Sequence, residues 1–94
     1  MKLIWTSLAQ ADRKQIRQHI AQDNPAAAIA LDEMISEKAS RLVDHPNVGR
    51  LGRVAGTREL VVHPSYILIY DSAGDQVRVL RVLHAARQWA PTRK

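Results

Sequence analysis

Arg50, Arg53, Arg58, Arg81, His84 and Arg87 are the residues of this chain whose types could do chemistry. Arginine forks onto phosphate or carboxylate oxygens through parallel N–H bonds. Histidine gives or takes a proton near neutral pH. Together they could serve a ribonuclease, which needs a base for the 2′-hydroxyl, charge stabilisation on the phosphorane and an acid for the leaving oxygen. The competing reading is structural. His84 then ends a strand, the arginines are solvated, and Arg58 makes a cross-strand pair with a carboxylate, worth about 0.2–1 kcal/mol. Other catalytic signatures are missing: there is no Walker-type glycine loop and no dinucleotide fingerprint. His19, His45, His63 and His84 show no metal-ligand spacing, and the chain has no cysteine. We therefore expect no metal, no cofactor and no disulfide framework.

The charge distribution sharpens the choice of partner. The net charge is +5. Residues 1–46 are balanced, with Lys2, Arg13, Lys14, Arg17, Lys38 and Arg41 against Asp12, Asp23, Asp32, Glu33, Glu37 and Asp44. The whole excess falls in residues 47–94, where Arg50, Arg53, Arg58, Arg78, Arg81, Arg87, Arg93 and Lys94 face Glu59, Asp71 and Asp75. A half so rich in arginine suits a polyanion, either nucleic acid or an acidic polypeptide. A small soluble domain also needs some net charge for solubility, which is the bland alternative.

These residues must be positioned by a small scaffold. Lys2 to Thr6 reads as a strand, and Thr6 or Ser7 can cap the helix that follows. Leu8, Ile16 and Ile20 are expected to stack on one face of that helix, which runs to about Gln22. Asp23-Asn24-Pro25 ends it. Asn24 can cap a second helix with Pro25 in its first turn, where a missing N–H costs nothing. Ala27, Leu31, Met34, Ile35 and Leu42 form the second apolar stripe, and the short link predicts an antiparallel helical hairpin. The second helix stops before Pro46. Residues 47–56, with three glycines, read as an irregular loop. Thr57–Val62, Tyr66–Tyr70 and Gln76–Leu83 read as strands, the last two joined by a five-residue connection from Asp71 to Asp75. By parity, Arg78 and Arg81 should point to opposite faces of the sheet.

This order predicts an α+β fold in one domain over residues 1–94: an N-terminal strand and a helical hairpin packed on one face of a mostly antiparallel four-stranded sheet. The second-half arginines can collect on the uncovered face. Trp5 and Trp89 are anchors of the core or the tail. No apolar run approaches the roughly 18–20 residues that span a bilayer, and the N-terminus is too short for a signal-peptide core, so we expect a cytoplasmic protein with no membrane partner.

The residues also resemble a known family. Trp5 followed by Ala9, Asp12, Ile16, His19, Ile20 and Ala21, then Asp23-Asn24-Pro25, is similar to the opening of the RelE/ParE toxin superfamily. His45-Pro46-Asn47-Val48-Gly49-Arg50, Gly56-Thr57-Arg58-Glu59-Leu60, Tyr66-Ile67-Leu68-Ile69-Tyr70 and Val79-Leu80-Arg81-Val82-Leu83-His84-Ala85-Ala86-Arg87 resemble its later segments in the same order. The resemblance covers nearly the whole chain. It implies the toxin of a type II toxin–antitoxin pair, neutralised by a cognate antitoxin with an acidic or amphipathic C-terminal segment, and reaching operator DNA indirectly through that antitoxin. RelE-like members cleave mRNA on the ribosome; ParE-like members inhibit DNA gyrase without cleaving RNA. Ribonuclease members often place an arginine where this chain has Ile67, and a tyrosine near the C-terminus where it has Arg87-Gln88-Trp89. The resemblance thus favours the ParE-like branch, in which Arg50, Arg53, Arg58, Arg78, Arg81, Arg87 and Trp89 contact target or antitoxin. The alternative is a ribonuclease using His84, Arg81 and Arg58.

Overall fold

The computed structural model of the chain describes residues 1–85. Strand β1 (Lys2–Trp5) leads into helices α1 (Ser7–Ala21) and α2 (Pro25–Ser40), and a 3-10 turn (Arg41–Val43) closes the helical part. Strands β2 (Arg50–Leu51), β3 (Arg58–His63), β4 (Tyr66–Ala73) and β5 (Gln76–His84) follow. Both caps form where the side chains allow: Thr6 Oγ1 accepts from the Ala9 N–H, and Asn24 Oδ1 accepts from the Ala27 N–H. Each satisfies one donor that the first turn of a helix cannot pair internally. Thr6 also donates to the Leu80 carbonyl at 3.0 Å, which ties the start of α1 to the sheet.

The core-facing stripes differ from the expected ones by a rotation. On α1 the buried positions are Ala9 and Asp12, with Ile16 and Ile20 packed against the core, whereas Leu8 is 61% exposed. At about 100° per residue, Ala9 lines up with Ile16 and Ile20, and Leu8 falls to the side. On α2 the buried set is Ala28, Leu31, Ile35 and Ala39; Met34 is exposed for the same reason. The two helices are joined by Asp32, which accepts a fork from Arg13 (2.9 Å twice) and a third bond from Arg17 at 3.3 Å. Burial pulls the Asp32 carboxyl upward, but the bonds and charge of Arg13 and then Arg17 outweigh it and hold the pKa below its ordinary value. Arg13 in turn lies 4.4 Å over the Trp5 ring, so Trp5 anchors β1 beneath the hairpin.

The sheet has five strands in the order β1-β5-β4-β3-β2, with β1 parallel to β5 and the rest antiparallel. The fifth strand is the correction: Arg50 pairs with Glu59 and Leu51 with Arg58 inside what reads as a loop. Two residues are too few to show an alternation. The last hairpin is also tighter than expected. Ala73 pairs with Gln76 across Gly74-Asp75, and Gly74 has φ +61°, the backbone that a II′ turn requires at its first central position. Asp71 belongs to the strand because it faces Arg78.

A bulge in β5 decides which face its side chains take. Ile69 pairs with Arg81, yet Tyr70 pairs with Val79, so Leu80 is an extra residue. The extra residue resets the alternation. Val77, Val79 and Val82 all join the core under the helices, with Leu68 and Tyr70. Arg78 and Arg81 therefore share the opposite face, contrary to the parity expectation. On that face the register sets Arg50, Glu59, Ile69 and Arg81 side by side across four strands, with Val61, Ile67 and Leu83 in the next row.

Candidate functional site

The second-half cations do not converge on one point. Arg78 lies at the hairpin end, where Nε and Nη2 donate to Asp71 at 2.9 and 2.6 Å. The Asp71 bonds, with its charge, raise the Arg78 pKa above its ordinary value. Arg50 lies at the far edge and donates to Glu59 Oε1 at 3.3 and 3.1 Å, while the Arg53 backbone N–H reaches Oε2 at 3.4 Å. Glu59 is buried, at 4% exposure, so these donors replace the water its carboxylate loses. The expected carboxylate pair of Arg58 falls instead to its neighbour Arg50. Register puts Arg58 beside Tyr70 on the helix side of β3, where Nη1 donates to the carbonyls of Gly49 (2.8 Å) and Asn47 (3.4 Å).

That contact belongs to a fixed loop. The Tyr70 hydroxyl, on a fully buried ring, donates to the Pro46 carbonyl at 2.8 Å and accepts from the Gly49 N–H at 2.9 Å. A Cβ at Gly49 would stand 2.7 Å from that hydroxyl and 2.8 Å from the Glu59 carbonyl oxygen. The glycine thus allows the backbone to approach β3 and β4 closely.

Arg81 and His84 do meet, in a cleft of about 300 Å³ between α1 and the end of β5. Beyond Trp5, β1 no longer covers β5, and Asp12 takes its place: it accepts from the Val82 N–H at 2.9 Å and from Arg81 Nε and Nη2 at 2.8 and 3.1 Å. The bonds to Asp12 raise the Arg81 pKa; burial opposes this and the Asp12 charge adds to it. Gln15, His19 and Tyr66 complete the polar lining, with the Tyr66 ring edge-on to His84 at 5.3 Å and 5.9 Å from His63. Reasoning from the second half alone misses Asp12, Gln15 and His19. Their signal is the spacing 12, 15, 16, 19, which puts them on one face of α1.

Arg58 is not part of this cleft, and Arg87 and Trp89 lie outside the described residues. Among the described residues, no group of three or more His, Cys, Asp or Glu side chains is placed to hold a metal ion, and no helix is long and apolar enough to cross a membrane.

A helical hairpin on one face of a mixed sheet is the architecture of the RelE/ParE toxin superfamily. Residues 3–89 match the family described as the ParE toxin of type II toxin–antitoxin systems, parDE, and the chain belongs to that family. It is 40% identical over 86 residues to the Toxin RelE2 of Caulobacter vibrioides, covering 92% of this chain and 97% of the relative. It is 36% identical over 89 residues to the putative toxin Y4kP of Sinorhizobium fredii, covering 94% and 92%. Among solved structures it is similar to the chromosomal ParDE TA system from P. aeruginosa, with TM-score 0.80 and 27% identity over 89% of this chain and 95% of that one.

Proposed function

We propose that this type II toxin acts by binding and inhibiting DNA gyrase, and that a cognate antitoxin with an acidic or amphipathic C-terminal segment neutralises it. The observation that carries the reading is Ile67. It is 8% exposed and lies between Val61 and Leu83 on the outer face, where the resemblance places a phosphate-binding arginine in ribonuclease members. An aliphatic side chain there offers nothing to a phosphorane, and losing such a donor costs several kcal/mol of transition-state stabilisation. The neighbouring cations Arg50, Arg78 and Arg81 each hold a carboxylate of the chain itself. They suit a binding surface whose charge is partly compensated and exchanged on contact. Operator DNA would be reached through the antitoxin.

One observation favours a second reading, a ribosome-dependent mRNA endoribonuclease. His84, His19 and Arg81 share a cleft, so a proton-transfer group lies near a permanent cation. Brief induction without antitoxin, with DNA and protein synthesis followed separately, distinguishes the two. The gyrase reading expects DNA synthesis to fall first and the purified chain to block supercoiling. Protein synthesis stopping first, with mRNA cut on ribosomes, would overturn it.

A further inference from the structure

We infer that the trough between the C-terminal end of α2, residues 44–48 and β3 is the seat of an amphipathic, carboxylate-bearing segment of the antitoxin. The inference rests on the proposal that a cognate antitoxin exists, and it names the part of this chain that would hold it. The trough has a volume of about 410 Å³ and is lined by Lys38, Arg41, His45, Val48, Leu60 and Val61. A second depression of about 360 Å³, formed by residues 44–48, shares His45 and Val48 with it, so the concavity continues across the loop.

Two features point to the occupant. The first is an aliphatic floor. Val48 is 59% exposed and Leu60 packs against the core on the helix side of β3, while Val61 points to the outer face and borders the trough across the strand at 51% exposure. Single exposed valines are ordinary on a protein surface; Val48, Leu60 and Val61 lining one concavity are a place for apolar side chains. The second is the charge of the rim. Lys38, Arg41 and His45 border the trough, and Arg41 pairs with Glu37 at 3.6 Å. Both members of that pair are about two-thirds exposed, so it is weak and easily exchanged for a carboxylate from outside. Asp44 borders the second depression and not the first. An aliphatic floor gives a nucleic acid no stacking surface, whereas an amphipathic peptide fills the floor and pairs with the rim. The cations of the trough belong neither to the arginine set of the outer face nor to the Asp12–Arg81 cleft.

The test titrates the full-length chain with the purified product of the short reading frame adjacent to its gene. The variants are Lys38→Glu/Arg41→Glu and Val61→Glu, all surface changes, with folding checked by thermal unfolding. Each is expected to weaken binding by roughly tenfold or more, mainly through faster dissociation. The chain has no cysteine, so Val48→Cys creates a unique thiol. Its reaction with a maleimide should slow by about tenfold when the antitoxin is saturating. That readout stands even if a charge-reversed variant fails to fold. If wild type binds and the variants bind equally well, or if Val48→Cys stays as reactive as before, the inference is overturned while the antitoxin reading survives. If wild type does not bind, the antitoxin reading itself fails and takes the inference with it. A free chain that is a dimer, split by Val61→Glu, would assign the trough to a second copy and likewise overturn the inference.

Discussion

Asp12 holds Arg81 across 69 positions of sequence by two bonds, Nε to Oδ2 at 2.8 Å and Nη2 to Oδ1 at 3.1 Å, and the same carboxylate accepts the Val82 N–H. One side chain thus caps the uncovered end of β5 and fixes the cation of the cleft. Asp12→Ala should leave a buried N–H without a partner and Arg81 without its counter-ion. The expected loss is about 2–3 kcal/mol of stability, read from the urea midpoint. Unchanged stability would mean that water satisfies both groups.

Gly49 and Tyr70 form a second coupled pair. Gly49→Ala forces a Cβ against the Tyr70 hydroxyl and the Glu59 carbonyl, and should cost about 1–3 kcal/mol. Tyr70→Phe removes the bonds to Pro46 and Gly49, and should cost a similar 1–3 kcal/mol by the price of unmade buried hydrogen bonds, about the same range. Because the hydroxyl is one of the clashing atoms, the double variant should be less destabilised than the sum of the singles. A double-mutant cycle that is additive within about 0.3 kcal/mol would sink this coupling.

Acid should loosen the helical hairpin through Asp32. Its folded pKa is lowered by Arg13 and Arg17, so the unfolded state binds the proton more readily. The contribution is complete above the ordinary carboxylate value of about 4 and disappears as pH falls through the depressed folded value. The stability difference between wild type and Asp32→Asn should therefore be largest at neutral pH and shrink below about pH 4. Urea titrations of both proteins at pH 7 and pH 3 would check it; a constant difference would rule the linkage out.

His84 separates the two functional readings by its effect on supercoiling inhibition and on mRNA cleavage. Under the gyrase reading, His84→Ala should leave blocked supercoiling within about threefold of wild type, since no proton transfer is involved. Under the ribonuclease reading, the same change should lower cleavage by roughly 100-fold or more. Supercoiling and ribosome-dependent cleavage assays on the same protein preparation decide between them.

The elements were legible because local chemistry writes them. Thr6 and Asn24 have the oxygen a cap needs, Pro25 fits a first turn, and the Val-, Ile- and Tyr-rich runs of β3 to β5 favour a pleated surface. The superfamily was legible as well, since its segments keep their order along nearly the whole chain. The faces were less so. Leu8 and Met34 are apolar enough to join a stripe, and only the packing of Ala9 and Ile35 against the sheet sets the rotation of each helix.

What the sequence determined by itself is therefore the set of elements apart from the short β2, the basic character of the second half and the family. Tertiary structure decided where the charges act. A single extra residue at Leu80 turned Arg78 and Arg81 to the same face, because strand alternation has a period of two and one insertion inverts it. Asp12 found Arg81, Glu59 found Arg50, and Tyr70 found Pro46 and Gly49 through pairings 9 to 69 positions apart. No local pattern encodes such partners. They are selected when the chain closes and each buried charge or hydroxyl must meet a group that replaces its lost water.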